Sequence, residues 1–295
     1  MDRFTAMETF VHVVEAGSFS AAGKRLGIGQ PAVSKSIAQL EARLGVRLIL
    51  RSTRGLTPTE AGLAFYEQAK RSIDYANEAE DAARGSGTGL SGNLRISAGV
   101  TLARLHIIPR LGPFLEKHPQ LNVEVILDDR MLNLVEDGID VALRIGPLTD
   151  SNLTVRQIAQ SPCRVFGTPA YLERFGEPQT PNDLLKHQTV IYSLRENTGW
   201  LFTRGNERQF VVVHGRLRVS SSEGLRAGVL AHHGVAMAAD WMFTPQLLSG
   251  EVKALLTDWQ LPPRELWAVF PTGRMASAKA RAFVEFVEGL LGPVQ

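Results

Sequence analysis

The chain has 295 residues, 44% of them apolar, enough core-forming material for two or three domains of a globular protein. Its net charge of +2 implies no nucleic-acid or membrane partner by itself, so that argument must rest on where the charge sits. The single cysteine excludes an intramolecular disulfide framework, the N-terminal MDRFTAMETF lacks the basic and apolar regions of a signal peptide, and no apolar run approaches the ~18 residues of a membrane span; a cytoplasmic protein is expected.

Charge is uneven. Between Lys24 and Arg54 seven basic residues stand against Glu41 alone, whereas Glu60 to Arg84 holds six acidic and three basic residues. In chain order, Phe4, Met7, Phe10, Val11, Val13 and Val14 recur at helical spacing, predicting an amphipathic helix over 4–16 that ends at Gly17. Ser18 or Ser20 can cap a second short helix, and Gly27 and Gly29 supply the turn after it.

A third helix begins near Pro31, with Val33, Ile37, Leu40 and Leu44 as its buried stripe. Its other face carries Ala32, Lys35, Ala38 and Gln39, with Ser34 on the flank and Gln30 and Pro31 at the start. Small and polar residues with one cation suit a helix entering the DNA major groove, although an ordinary solvated face has the same composition. The next segment, VRLILRSTRGLTPT, reads as a hairpin whose tip carries Arg51 and Arg54, placed for phosphate contact or minor-groove insertion.

These residues resemble the N-terminal domain of the LysR family of bacterial transcriptional regulators. GSFS-AA, QPAVS, LE-x-x-LG, the basic wing and T-x-A-G are present almost position for position over residues 1–62. The resemblance implicates Gln30, Pro31, Ser34 and Lys35 at the recognition helix and Arg51 and Arg54 at the wing as DNA contacts. Two departures are Gly29, where the family commonly has Ser, and Leu48-Ile49-Leu50-Arg51, where it has Leu-Phe-x-Arg.

Thr57 with Glu60, or Thr59, can cap a long helix reaching Arg84. Its seam of Phe65, Ala69, Ile73, Ala76, Ala79 and Ala83 suggests pairing with a second copy, which would set two recognition helices on a pseudo-palindrome; packing on its own domain is the alternative. The Gly/Ser-rich run 85–92 then reads as a hinge.

Beyond the hinge, strands over 94–98, 123–127 and 140–144 with helices over 101–117 and 131–137 make a βαβαβ unit and hence a parallel sheet. Strands are expected at 164–167 and 189–192, a strand pair around Gly215, a strand at 235–238, a return strand at 267–270 and a terminal helix over 277–291. The family resemblance extends through HIIPRLGPFLEKHPQLNVEVILDDR, DGIDVALRIG, TPAYLERFG and ARAFVEFVEGLL. It implies a mixed α/β chain: a mainly helical winged helix-turn-helix over 1–58, a linker helix and hinge over 59–91, and an effector-binding domain over 92–295. That domain would be two-lobed and periplasmic-binding-protein-like, lobe I about 92–162 and 267–295 and lobe II about 163–266.

Ligands of open parallel sheets sit beyond the carboxyl ends of strands, where helix starts offer N–H groups. This points to Gly99, Val100 and Thr101, to Arg144 and Gly146, to Thr168, and to Ser221 and Ser222, a set suited to a small carboxylate-bearing effector. By resemblance, Thr101 stands where the family has an effector-contacting Ser or Thr. Each hydroxyl could instead be only a helix cap, and Arg144 a salt-bridged surface residue.

Other features carry less. Adjacent His232-His233 lack partners at metal-ligand spacing, so a place at a helix end is expected. Cys163 has no second cysteine for a thiol switch, and Ser220 to Ser222 lacks a nucleophile elbow. No catalytic residue, cofactor or metal is expected. The chain is read as a DNA-binding regulator acting as a homodimer or homotetramer, controlled by a small-molecule effector, with RNA polymerase a candidate partner. The competing class is a small-molecule binding protein or enzyme with a vestigial helix-turn-helix.

Overall fold

The structure, a computed structural model, describes residues 2–52, 55–84, 90–148, 154–194, 198–271 and 276–292. Two compact units form, Met1–Thr88 and Gly89–Gln295. Arg54 at the expected wing tip and residues 85–89 of the expected hinge lie outside the described residues.

In the first unit, α1 (Arg3–Ala16), α2 (Phe19–Leu26) and α3 (Gln30–Leu44) each end on a left-handed glycine, Gly17, Gly27 and Gly45, a conformation that costs a side chain and suits glycine. Ser18 rather than Ser20 caps α2, accepting from the Ala21 N–H at 3.4 Å. Strands β1 (Ile49–Ser52) and β2 (Gly55–Pro58) pair antiparallel as the wing. Helix α4 (Glu60–Arg84) starts after Thr59, not Thr57, since the Thr59 hydroxyl accepts from the Gly62 N–H at 2.9 Å and Thr57 is within β2.

Phe10, Val13, Val33, Ile37, Leu40, Leu48 and Ile49 form the core of this unit. Ile49 thus fills a place where the family has Phe. Leu44, expected in the buried stripe, is 39% exposed because it is the last residue of α3, and Ser36 is buried beside Ile37. The start of the α4 seam is used at home: Phe65 meets Phe10 edge to face at 5.3 Å, and Ala69 is buried. Such a ring pair adds about 0.5–1.5 kcal/mol beyond its burial.

The second unit opens with β3 (Ser91–Ala98). The helix expected over 101–117 is broken into α5 (Val100–Leu102), a π turn over 103–107, a 3-10 turn over 108–110 and α6 (Gly112–Lys117). Pro109 offers no N–H to the Leu105 carbonyl, and the Arg110 guanidinium reaches that carbonyl at 3.5 Å and the His106 carbonyl at 3.0 Å. Strands β4 (Gln120–Leu127) and β5 (Val141–Ile145) follow, both parallel to β3. The helix expected over 131–137 is only a turn: the Asn133 side chain accepts from the Val135 and Glu136 N–H groups, and Gly138 leaves it left-handed.

Strand β6 (Thr154–Gly167) then runs out of this lobe into the next, where α7 (Pro169–Phe175), β7 (Val190–Tyr192), β8 (Gly199–Arg204), β9 (Glu207–Val212), β10 (Leu217–Val219), α8 (Ser222–Leu230), β11 (Ala236–Ala239), α9 (Thr244–Ser249) and β12 (Lys253–Leu255) are built. Strand β13 (Leu261–Phe270) returns, and α10 (Ala278–Leu291), capped by Ser277, closes lobe I. The strand pair expected around Gly215 does not form: β9 pairs with β8 and β10 with β7. Gly215 is pressed onto the backbone of Thr189, where an added Cβ would meet the carbonyl oxygen at 1.6 Å.

One seven-stranded sheet, ordered β11-β6-β13-β5-β3-β4 with β12 also on β6, joins the lobes. The β6–β13 ladder slips between Leu261 and Arg264, opposite Ser161 and Cys163. Pro162, Pro262 and Pro263 stand there without N–H donors, so the ladder breaks where both strands cross between lobes. Each lobe has its own core, one around Ile96, Val141 and Phe283, the other around Val165, Tyr171 and Trp200.

Candidate nucleic-acid interface and ligand cleft

The N-terminal unit presents α3 as its one-sided element. Val33, Ile37 and Leu40 are buried, while Gln30, Pro31, Ala32, Lys35 and Gln39 are exposed and Ser34 is half-buried. Glu41 fixes the wing to this helix: its Oε1 accepts from the N–H of Leu48 at 2.7 Å and of Ile49 at 3.0 Å. Thr59 holds the other side, donating to the Arg47 carbonyl at 2.8 Å while its N–H bonds the Leu48 carbonyl. Gly62 lies against that same carbonyl, which a Cβ would meet at 2.0 Å. The Glu of LE-x-x-LG and the Thr and Gly of T-x-A-G therefore position the wing. Arg51 sits on β1 opposite Leu56.

In the C-terminal unit the structure brings Val100 and Thr101 of lobe I together with Ser222 of lobe II. The Thr101 hydroxyl lies 3.0 Å from Ser222 Oγ and 3.1 Å from Glu223 Oε2. Three residues absent from the sequence expectation, Asp129, Arg104 and Arg226, complete the cluster around Glu223. Asp129, just past β4, accepts from the Val100 N–H at 3.0 Å, from the Ser222 N–H at 2.5 Å and from the Ser222 hydroxyl at 2.9 Å. Arg104 grips Glu223 through two hydrogen bonds, 2.8 and 3.3 Å, and the buried Arg226 reaches the same carboxylate at 3.2 Å. Ser221 caps α8, accepting from the Gly224 N–H at 3.0 Å. A further link between lobes runs from His106 Nε2 to the carbonyl of Trp241 at 2.7 Å, and burial pulls the His106 imidazole below its ordinary pKa.

Gly99 precedes α5, and Arg144 and Gly146 lie at the same carboxyl edge of the parallel strands. Arg144 donates to the Leu132 carbonyl at 2.9 Å, and Gly146 takes a left-handed turn with φ +102°. Thr168 is elsewhere. Strands β7 and β10 run parallel, and β11 runs antiparallel to β6, so β6 carries Thr168 to the end of lobe II remote from lobe I. There its hydroxyl caps α7 and lies 2.7 Å from His232 Nδ1. The rule that sites lie beyond strand carboxyl ends selected Thr168 wrongly because it holds only for the parallel members.

His232 takes a left-handed conformation just after α8, and among the described residues no group of three or more His, Cys, Asp or Glu is placed to hold a metal. A pocket of about 490 Å³ opens beside Cys163, Phe202 and Trp259, at the base of lobe II; none of the expected effector residues lines it. Convergent polar groups rather than cavity size mark the Thr101–Ser222 cleft as the candidate site. The missed Asp129 had a signal in the sequence, an acidic pair directly after a parallel strand.

Comparison with known proteins agrees with both halves. Residues 4–63 match the bacterial regulatory helix-turn-helix protein, lysR family, and residues 87–291 the LysR substrate binding domain. A Xanthomonas campestris HTH-type transcriptional regulator is 36% identical over 94% of this chain and 82% of its own length. An HTH-type transcriptional repressor of Pseudomonas aeruginosa is 33% identical over 97% and 92%. Among solved structures, the LysR-type regulator CrgA of Neisseria meningitidis is similar with TM-score 0.63 and 28% identity, covering 98% of each chain. The full-length Vibrio cholerae virulence activator AphB is similar with TM-score 0.59 and 28% identity, covering 99% and 100%. Among the described residues no helix is long and apolar enough to cross a membrane. The chain belongs to the LysR family of transcriptional regulators, which bind DNA through a winged helix-turn-helix and answer to a small-molecule effector through the C-terminal unit.

Proposed function

We propose that this regulator reads its operator with Gln30, Pro31, Ala32, Ser34, Lys35 and Gln39 in the major groove, and that Arg51 and Arg54 of the wing hold the flanking backbone. It works in the cytoplasm as a homodimer or homotetramer in which the later seam of α4, from Ile73 onward, is covered by a second copy, with RNA polymerase as a downstream partner. Its effector is a small polar molecule bound between the lobes at Gly99, Val100, Thr101, Ser221 and Ser222, with Arg144 and Gly146 at the rim. Differential affinity for two lobe arrangements is what couples such a ligand to the DNA-binding heads.

The observation that carries this reading is the convergence of Thr101, Asp129, Ser222 and Glu223 from both lobes on one point. Hydroxyls and carboxylates bridging a cleft are groups that a ligand engages as the lobes close. The test is a thermal-shift screen of metabolites on the full chain, with Thr101→Val as control. A compound that stabilises the wild type and not Thr101→Val supports the site, and one that stabilises both equally places the ligand elsewhere.

A further inference from the structure

Asp129 belongs to the cleft by geometry. Its carboxylate is held by donors from two stretches distant in sequence: the Val100 N–H after β3, and the N–H and hydroxyl of Ser222 at the start of the nine-residue α8. Converging N–H groups and a hydroxyl make the environment that a carboxylate ligand finds at such a place. Here the chain supplies the carboxylate itself. The backbone makes room for it: a Cβ on Gly99 would stand 3.1 Å from Asp129 Oδ1, tighter than side chains ordinarily pack.

The neighbouring charges are also committed. Arg104 and Arg226 both bind Glu223, and Arg130 binds Asp128 through side-chain contacts of 2.8 to 3.2 Å. Counting Asp129 and Glu223 against Arg104 and Arg226, the cluster is neutral as it stands. A second carboxylate would enter beside two others and find these guanidinium groups engaged, at a separation where like charges repel strongly.

We propose that Asp129 is the specificity determinant of this cleft: its carboxylate stands where an acidic effector's would, links the lobes without one, and restricts the ligand to molecules that bring hydrogen-bond donors, not a carboxylate, to Thr101, Asp129 and Glu223. This deepens the effector reading given above and rests on the same cleft. It revises the expectation of a carboxylate-bearing effector, because the donors that would have bound it are taken.

Chemical rescue tests it. Thermal unfolding of the full chain is followed in sodium acetate and in sodium chloride at matched ionic strength, for the wild type, Asp129→Ala and Asp129→Ser. The proposal expects the wild type to unfold at the same temperature in both salts. Each variant should unfold below the wild type in chloride and recover saturably with acetate, the small carboxylate refilling the vacated donors. A saturable rise of the wild type with acetate, or a folded variant that acetate does not stabilise, overturns the proposal. Should neither variant fold, equilibrium dialysis of radiolabelled acetate against the wild type decides, one-site binding abolished by Ser222→Pro overturning it and no binding upholding it. The rescue reads occupancy of these donors alone, so a metabolite found to act elsewhere would sink the effector reading and leave this result standing.

Discussion

The carboxylate of Asp129 lies 2.5 Å from the backbone nitrogen of Ser222, joining a loop of lobe I to the first turn of a lobe II helix. A charge-assisted bond of this kind contributes about 1.5–3 kcal/mol, and it adds to the Thr101, Arg104 and His106 contacts that also join the lobes. Asp129→Ala is therefore expected to destabilise the C-terminal unit by about 1–3 kcal/mol and to speed hydrogen exchange at the Val100 and Ser222 amides. Unchanged exchange at both amides would show that the link is not formed in solution.

Acidification should loosen the same unit. His106 and His187 are both buried, and burial is the main cause that pulls each imidazole below the ordinary value of about 6.5. The unfolded chain then binds protons that the folded chain resists, so stability is complete above about pH 6.5 and is lost as pH falls below it toward the depressed values. The melting temperature should drop between pH 7 and 5.5, and drop less in His106→Gln, which keeps a donor for the Trp241 carbonyl. An identical pH profile in that variant would remove His106 from the account.

Gly62 and Glu41 should prove structural residues of the DNA-binding unit. Gly62→Ala forces a methyl onto the Leu48 carbonyl, and backbone yields poorly, so a loss of about 1–3 kcal/mol or more is expected in urea unfolding of the N-terminal transition. Glu41→Ala leaves the Leu48 and Ile49 N–H groups without their shared acceptor and should free the wing at a cost of about 1–3 kcal/mol. Both variants should weaken operator binding without the sequence preference changing, since neither side chain is at the exposed face of α3.

Contact residues should separate by what they read. Arg51→Ala should weaken binding to specific and scrambled duplexes alike and lower the salt slope by about 1, the signature of one lost phosphate contact. Ser34→Ala and Gln30→Ala should change which base pairs are preferred while leaving non-specific affinity close to the wild type. A base-pair preference unchanged by both Ser34→Ala and Gln30→Ala would move the base-reading face away from α3.

Much of this was legible in the sequence, and the losses have physical causes. The helices and wing of the first unit follow from periodicity and glycine stops, which are local signals. Parallel pairing of β3, β4 and β5 followed from alternation of strands with intervening segments. The helix over 101–117 failed at Pro109, a breaker present in the sequence but outweighed by apolar periodicity. Residues 131–137 failed because Asn133 and Gly138 favour a closed turn. Thr168 required strand direction, which only long-range pairing fixes, and Asp129 required knowing that the loop after β4 meets the start of α8 across 93 residues of chain.

The central claim, that α3 reads DNA, is tested most directly by fluorescence anisotropy of the full chain on the duplex upstream of its own coding sequence, against a scrambled duplex, from 50 to 200 mM salt. The account predicts tighter binding to the upstream duplex, a steep salt dependence on both, and loss of the preference in Gln30→Ala/Ser34→Ala. Equal affinity for the two duplexes, or a preference that survives the double substitution, would contradict it.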